Sequence, residues 1–575
     1  MLTLIGPGNS KGLQMLVAST KDPASEPMTP VLEMFCESAY LLFLTLSDEE
    51  IYNRQHPFTL AQFSTLSTFL NSYCFQLHLR MKQSIRPSLT DAALKLLGAL
   101  YDRNDRRAWM ADLPEKRGVA GFFAGMGFRG GKESETSPWV MPQMVGKDVL
   151  VNIKKGDATT SLILNVMPQT IPFRTRVDIF RDMVKSDKAT VDDIGFSVRI
   201  RRKAVLEDGF TFLAKLSGAQ FKQTFRIVFV NELGMDEPGI DQRGVFKEFI
   251  ELLLKRAFSG ELGLFKPTAD NTIYPSSKSG IHENHLDLLH FTGRMLAKAL
   301  YEGIVIDYPF ALFFYSKLLS QYTCLDDLPS LDPELYKNLT FLKHYERDCA
   351  DLGLTFTIDD DVFGKKVSQE LKPGGRKIDV TNENRFQYIY LMADFVLNQQ
   401  AKEQNRAFIR GFKSVISDTW LRIFSASELQ KLMSGEGADF DPKELRTYTR
   451  YEGGFFDQHK TIRWLWQCVE EMSPKEKSAF LRFATSCSKP PVGGFQHLQP
   501  TFTIRAIADE GDHASNEPSP LQMIGTFVGL GKDSTRLPTA ATCFNMLKLP
   551  VFKTKQALKE KLLYAINANA GFELA

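Results

Sequence analysis

The chain has 575 residues, 43% hydrophobic and 24% charged, the make-up of an ordinary soluble protein with room for two to four domains. A formal net charge of +2 gives no field to gather nucleic acid or an anionic membrane surface, so neither is expected as a partner. No apolar run approaches the roughly 20 residues of a membrane span.

Seven cysteines are widely scattered without a Cys-x-x-Cys pair, which argues against a disulfide framework and a zinc site. They point to a reducing compartment: the cytoplasm, with the nucleus as the second choice. The N-terminus lacks the basic start and long apolar stretch of a signal peptide. No cofactor and no metal are expected.

Residues 1–110 read as helices. Thr29-Pro30 suits a helix start, with Val31, Leu32, Phe35, Ala39 and Leu42 on one face. Phe63, Leu66, Leu70, Tyr73 and Leu77 repeat the pattern, as do Ala93, Leu96, Leu97 and Leu100. The expectation is a helical bundle or a fragment of a helical-repeat array, although no repeat of fixed length is found. Met1 opening directly onto such an array is what a fragment or isoform of a longer protein would give.

Residues 111–196 read as a glycine-rich linker followed by a mixed transition region. Gly125, Gly127 and Gly130 have the spacing of a dinucleotide fingerprint, but the Lys132–Pro138 stretch after them is a poor helix, so nucleotide binding is not expected. Strands are expected at Leu150 to Ile153, Phe196 to Ile200 and Arg226 to Val230, with a helix led by Leu206-Glu207-Asp208-Gly209. Gly239-Ile240-Asp241 and Gly244 precede Lys247-Glu248-Phe249, and Phe246, Phe249, Ile250, Leu253 and Leu254 have the spacing of a helix's core face.

His282, His285 and His290 invite a metal reading, but no carboxylate or cysteine nearby completes a site, and a surface or helix-start role is preferred. Gly453-Gly454 supplies backbone freedom between packed segments. The acidic run Asp509 to Pro520 reads as a surface loop.

Near the end, Pro538 brings the chain in extended, and Cys543 follows among Thr539, Thr542 and Asn545, side chains able to donate hydrogen bonds to a sulfur or an oxyanion. Leu558, Leu562 and Ile566 mark the buried face of a closing helix. By itself a lone cysteine is more often packing than chemistry. Its surroundings change that. Leu537-Pro538-Thr539, Thr542-Cys543-Phe544-Asn545, Leu547, Leu549-Pro550 and a phenylalanine fourth from the end, Phe572, resemble the catalytic end of the HECT-type ubiquitin-protein ligases. Phe291, Gly293, Arg294 and Lys298, then Tyr451-Glu452-Gly453-Gly454, Trp464, Trp466, Phe480 and Phe483, extend the likeness over about residues 197 to 575. The tail Gly571-Phe572-Glu573-Leu574 resembles a small subgroup of that family. Three places depart from the family pattern: Ala297 where glycine is usual, Ala541 where many relatives have histidine, and Ser486-Cys487-Ser488 where Thr-Gly is frequent.

The resemblance implies an α+β, bilobal domain preceded by an all-α region. A large, mostly helical N-lobe would span residues 197–451, a hinge 452–454 with Gly453 and Gly454, and a small α/β C-lobe 455–575. A ubiquitin-conjugating enzyme would dock within about residues 335–390, with Leu339, Leu342, Tyr345, Leu352 and Leu354 as its apolar groove. Cys543 would accept ubiquitin as a glycyl thioester and pass it to lysines of protein substrates, with Phe572 needed for the onward step.

Exchange between thioesters needs an accessible, partly ionised thiolate more than strong acid–base groups. Thr539, Thr542 and nearby backbone N–H groups are the candidates to stabilise the tetrahedral oxyanion, with Asn545 in support. No base is assigned for the lysine attack, since no acidic residue adjoins Cys543. Two other functions compete: a degenerate HECT-like interaction scaffold, and a cysteine hydrolase pairing Cys543 with His497. Replacing Gly453-Gly454 by two prolines is expected to slow both transfers with a modest change in stability.

Overall fold

The computed structural model describes residues 29–80, 87–109, 137–145, 147–191, 194–231, 233–237, 242–362, 365–437, 440–507 and 536–567. The triple-glycine stretch, the Gly239 turn, the Asp509–Pro520 run and Phe572 with its tail lie outside them. No helix among the described residues is long and apolar enough to cross a membrane.

The N-terminal helices form where the periodicity places them: α1 Thr29–Thr45, α2 Leu60–Arg80 and α3 Pro87–Arg106. Leu150 to Ile153 is not a strand but part of a helix, Lys147–Lys154. An alternating pattern would put Val149, Val151 and Ile153 on one face, yet Val149 is buried while Val151 is exposed. Asp148 in the first turn and Lys154 in the last suit the helix dipole.

Then come β1 Phe196–Arg201, β2 Phe225–Val230, α4 Gln242–Phe258, α5 His285–Glu302, α6 Pro333–Lys343, α7 Arg385–Asp394 and α8 Lys402–Lys413. The chain closes with β3 Arg450–Glu452, α9 Lys460–Glu470, α10 Pro474–Thr485, β4 Thr503–Ile507, β5 Thr539–Ala541, β6 Met546–Pro550 and α11 Lys555–Asn567.

Contacts group the chain into two compact units that interleave along the sequence. One takes the residues up to Met183 together with Tyr315–Gln400 and Asp418–Glu428, so the N-terminal helices share a unit with α6 and α7. Charge pairs tie them. Arg103 of α3 bridges Asp48 and Asp326, the latter at 2.7 Å, and its other nitrogen donates to the Leu46 carbonyl at 3.0 Å. Arg106 meets Asp327 at 2.9 Å. In the other direction, Lys343 of α6 donates to Glu50 at 2.6 Å and to the Thr45 carbonyl at 3.1 Å.

The second unit holds the rest. β1 and β2 pair in parallel, and Phe246, Phe249, Ile250, Leu253 and Leu254 of α4 are buried. Helices α5 and α8 meet backbone to backbone. A Cβ added at Gly293 would lie 2.2 Å from the Phe408 carbonyl oxygen, and one at Gly411 would lie 1.9 Å from that of His290. Only glycine fits such a crossing. Gly293→Ala is therefore expected to lower stability by at least about 1–3 kcal/mol, read as a fall in denaturation midpoint.

The C-terminal part is a four-stranded sheet in the order β3–β4–β6–β5, parallel except for the β6–β5 pair. Its core joins Ile462, Leu465 and Trp466 of α9, Phe480 of α10, Leu547 and Leu549 of β6, and Leu558, Leu562 and Ile566 of α11. Pro474 opens α10 behind a capping box, in which the Ser473 N–H donates to Glu476 at 2.8 Å and the Glu476 N–H returns a bond to the Ser473 hydroxyl. The whole is α+β, with a large helical lobe and this small mixed one.

Candidate active site

Cys543 sits at the tip between two antiparallel strands. Ala541 of β5 faces Met546 of β6, and the residues between them, Thr542–Phe544, make one 3-10 turn. Asn545 closes the turn in the left-handed region at φ 48°, which an asparagine tolerates better than most side chains, and its N–H donates to the Thr542 carbonyl at 3.1 Å. A tight turn between two paired strands leaves the cysteine little conformational choice.

The loop rests on α4. Lys247 Nζ donates to the Thr542 carbonyl at 3.0 Å, the Thr485 carbonyl at 3.0 Å and Asn545 Oδ1 at 2.5 Å. The Asn545 amide nitrogen donates to the Pro500 carbonyl at 2.5 Å. Both ends of this side chain are thus occupied, and Asn545 is a clamp rather than a donor waiting for an oxyanion. Thr539 and Thr542 are half-buried beside the cysteine. On the other side the Phe544 ring packs against α4: a Cβ added at Gly244 would lie 2.2 Å from it.

Cys543 is only 7% exposed. Burial, with the carboxylates of Glu248 and Glu251, pushes its thiol up to about 12, opposed by Lys247 and by the Phe544 N–H. Glu251 is itself pushed up by burial; its Oε1 is 3.5 Å from Lys247, and its Oε2 accepts from Ser486 Oγ at 3.2 Å. Acidity does not single out Cys543, because burial also pushes Cys36 and Cys487 up to about 12. What sets it apart is its place on a turn, whereas Cys487 donates to the Val305 carbonyl and Cys468 is buried in the small-lobe core.

Sequence reasoning gave Lys247 and Glu248 no role. They come to the cysteine turn across the fold, Lys247 lying 295 positions before Thr542. The single available signal was a lysine and two carboxylates on the helix after a glycine turn.

Gly453 and Gly454 have φ of 68° and 94°, and a Cβ at Gly453 would meet the Ala506 carbonyl oxygen at 2.9 Å. Proline cannot adopt these angles, so a double proline would cost far more stability than the modest change expected from sequence. The residues just before the glycines pair with β4, Arg450 with Thr503 and Glu452 with Arg505, and a swing about Gly453-Gly454 has to break that pairing or carry it along.

In the other unit, Leu339 and Leu342 are each 3% exposed. They lie on the inner face of α6 and are core, which corrects their placement in an open groove. Tyr345 and Leu354 are half-buried and Leu352 is exposed. The aromatic surface there is instead Phe341, 61% exposed with its ring 5.4 Å from Tyr345, together with Phe386 and Tyr390. His282 Nε2 bonds to the Leu262 carbonyl and His285 Nδ1 to Ser279, so each ring has its own partner rather than a shared centre.

The sequence model of the HECT-domain (ubiquitin-transferase) family matches residues 251–575. The chain belongs to the HECT-domain family. It is 41% identical over 99% of its length to ubiquitin-protein ligase E3B of Homo sapiens, covering 53% of that protein. To E3 ubiquitin-protein ligase UPL6 of Arabidopsis thaliana it is 36% identical, over 95% of this chain and 51% of the relative. To E3 ubiquitin-protein ligase HUL5 of Saccharomyces cerevisiae it is 30% identical, over 95% and 62%. The chain thus spans about half the length of the first two relatives. The HECT match begins inside α4, and these relatives also align with the N-terminal helices that pack with α6 and α7.

Proposed function

We propose that this chain is a ubiquitin ligase that takes ubiquitin from a conjugating enzyme as a thioester on Cys543 and passes it to lysine amines of protein substrates, in the cytoplasm. The observation that carries this reading is Cys543 at the tip of the β5–β6 turn, inside the family's transferase domain. In loading, the Cys543 thiolate attacks the incoming thioester carbonyl and the conjugating enzyme's thiolate leaves. In discharge, a neutral lysine amine attacks, a C–N bond forms, and Cys543 leaves as thiolate and takes a proton. The conjugating enzyme docks on the aromatic surface of Phe341, Tyr345, Phe386 and Tyr390, with Leu352 at its edge. Gly453-Gly454 is the hinge.

Incubation with activating enzyme, conjugating enzyme, ATP and ubiquitin tests the reading. A reductant-sensitive adduct on the chain is expected. No adduct supports the scaffold instead, and cleavage of ubiquitin chains supports a hydrolase. Phe572 separates the two steps. If its burial stabilises only the acceptor arrangement, worth roughly 1.5–3 kcal/mol, Phe572→Ala should load at near the normal rate and discharge about tenfold to a hundredfold more slowly. Equal slowing of both steps in a single-turnover assay would reduce Phe572 to packing.

A further inference from the structure

The place where the chain departs from the family pattern, Ser486-Cys487-Ser488, binds the large lobe at every residue. Ser486 Oγ donates to Glu251 at 3.2 Å, and Cys487 Sγ donates to the Val305 carbonyl at 3.2 Å. Ser488 donates twice to Asp307 Oδ2, from its N–H at 3.1 Å and its hydroxyl at 2.5 Å. Ser486 does this at φ 67°, in the left-handed region that glycine enters freely. The chain keeps a side chain there at a backbone cost, and what that side chain adds is the bond to Glu251. Next to it, the Thr485 carbonyl accepts from the same Lys247 ammonium that holds the catalytic turn.

These contacts converge on one state. With the small lobe so held, Phe544 lies on Gly244 without room for a methyl group, and Cys543 is covered. Loading requires the reverse: the sulfur must reach the carbonyl carbon of a protein-borne thioester, and it must ionise first. The carboxylates of Glu248 and Glu251 disfavour the thiolate, opposed by Lys247 and the Phe544 N–H.

We propose that Lys247, Glu251 and Asp307, together with Thr485 to Ser488, form a latch between the lobes that holds the uncharged protein closed, so that release of the small lobe precedes loading. This rests on Cys543 being the acceptor of ubiquitin. Once the latch opens, the Cys543 thiolate attacks, its C–S bond forms as the conjugating enzyme's breaks, and the departing thiolate takes up a proton in place of the one Cys543 lost.

Iodoacetamide labelling of Cys543 in the full chain, read by peptide mass spectrometry, tests the latch without ubiquitin. Lys247→Met should raise the Cys543 labelling rate about tenfold or more, the loss expected for charge-assisted bonds, and Ser488→Ala severalfold. Cys468, buried in the small-lobe core, should label as slowly as in the parent. Both variants should also load ubiquitin faster when conjugating enzyme is limiting. Should Lys247→Met expose Cys468 as well, the milder Ser488→Ala decides. Unchanged Cys543 labelling in Ser488→Ala overturns the latch, as does faster labelling with slower loading, which would make these contacts a support for transfer. A parent chain that labels as expected yet forms no ubiquitin adduct would sink the ligase reading and leave the latch standing.

Discussion

Cys543→Ala is expected to abolish the ubiquitin adduct completely, while Cys468→Ala and Cys487→Ala still load. Of the seven cysteines, Cys543 stands on the turn between paired strands, and its packing neighbours form a small cluster of Ala541, Met546 and Phe544 apart from the main core. Removing one sulfur from so small a cluster costs about 1 kcal/mol, judged by a methylene of similar size. The fold should therefore survive, and so should the Lys247 contacts, which grip backbone carbonyls and Asn545 rather than the thiol. Gel mobility with and without reductant, alongside a denaturation midpoint, checks both halves. A reductant-sensitive adduct on Cys543→Ala would move the nucleophile elsewhere.

The second large effect is on stability. Arg103→Ala should destabilise its unit by about 3–5 kcal/mol, because it leaves two carboxylates without their cation. The side chains of Arg103 and Asp326 are 7% and 4% exposed, so water cannot replace the lost partner. Arg106 stays beside Asp48 at 3.8 Å and compensates only in part. Adding Asp326→Ala to Arg103→Ala should recover part of the loss, since it removes the orphaned charge along with its partner. Urea denaturation of the two singles and the double measures this. A loss below about 1 kcal/mol for Arg103→Ala would show the pair to be worth no more than a surface bridge. If the aromatic surface of Phe341 and Phe386 is where the conjugating enzyme docks, Arg103→Ala should also weaken loading without touching Cys543.

Much of the site was legible because it is local. The extended entry at Pro538, the polar bend at Cys543 and the apolar run at Leu547 and Leu549 all lie within a few residues; that Asn545 closes the bend in a left-handed conformation was not read. The inward faces of α4 and α11 follow from helical spacing alone. What stayed hidden is tertiary. The family likeness offered Leu339 and Leu342 as part of a groove, but apolar residues serve a core equally well, and only the packing of α6 puts both inside. The stretch around Val149 and Ile153 has strand-like composition, yet it folds as a helix with Val149 buried and Val151 exposed. The carboxylates beside the thiol could not be read from a sequence in which none adjoins it. Ser486 was visible as a departure from a family pattern; that it sits in a glycine-like conformation and binds Glu251 was not.

The interleaving of the two units also sets an order of events during synthesis. The first helices leave the ribosome early, but Arg106 has to wait for Asp327, 221 residues later. At roughly 5–20 residues per second that is a delay of about 10–40 s, during which Arg103 and Arg106 have Asp48 beside them but not yet Asp326 and Asp327. The N-terminal helices therefore cannot complete their own folding as they are made. Their last contacts form only after β1, β2 and α4 of the other unit have already been translated, so helices that precede those elements in the chain are finished after them.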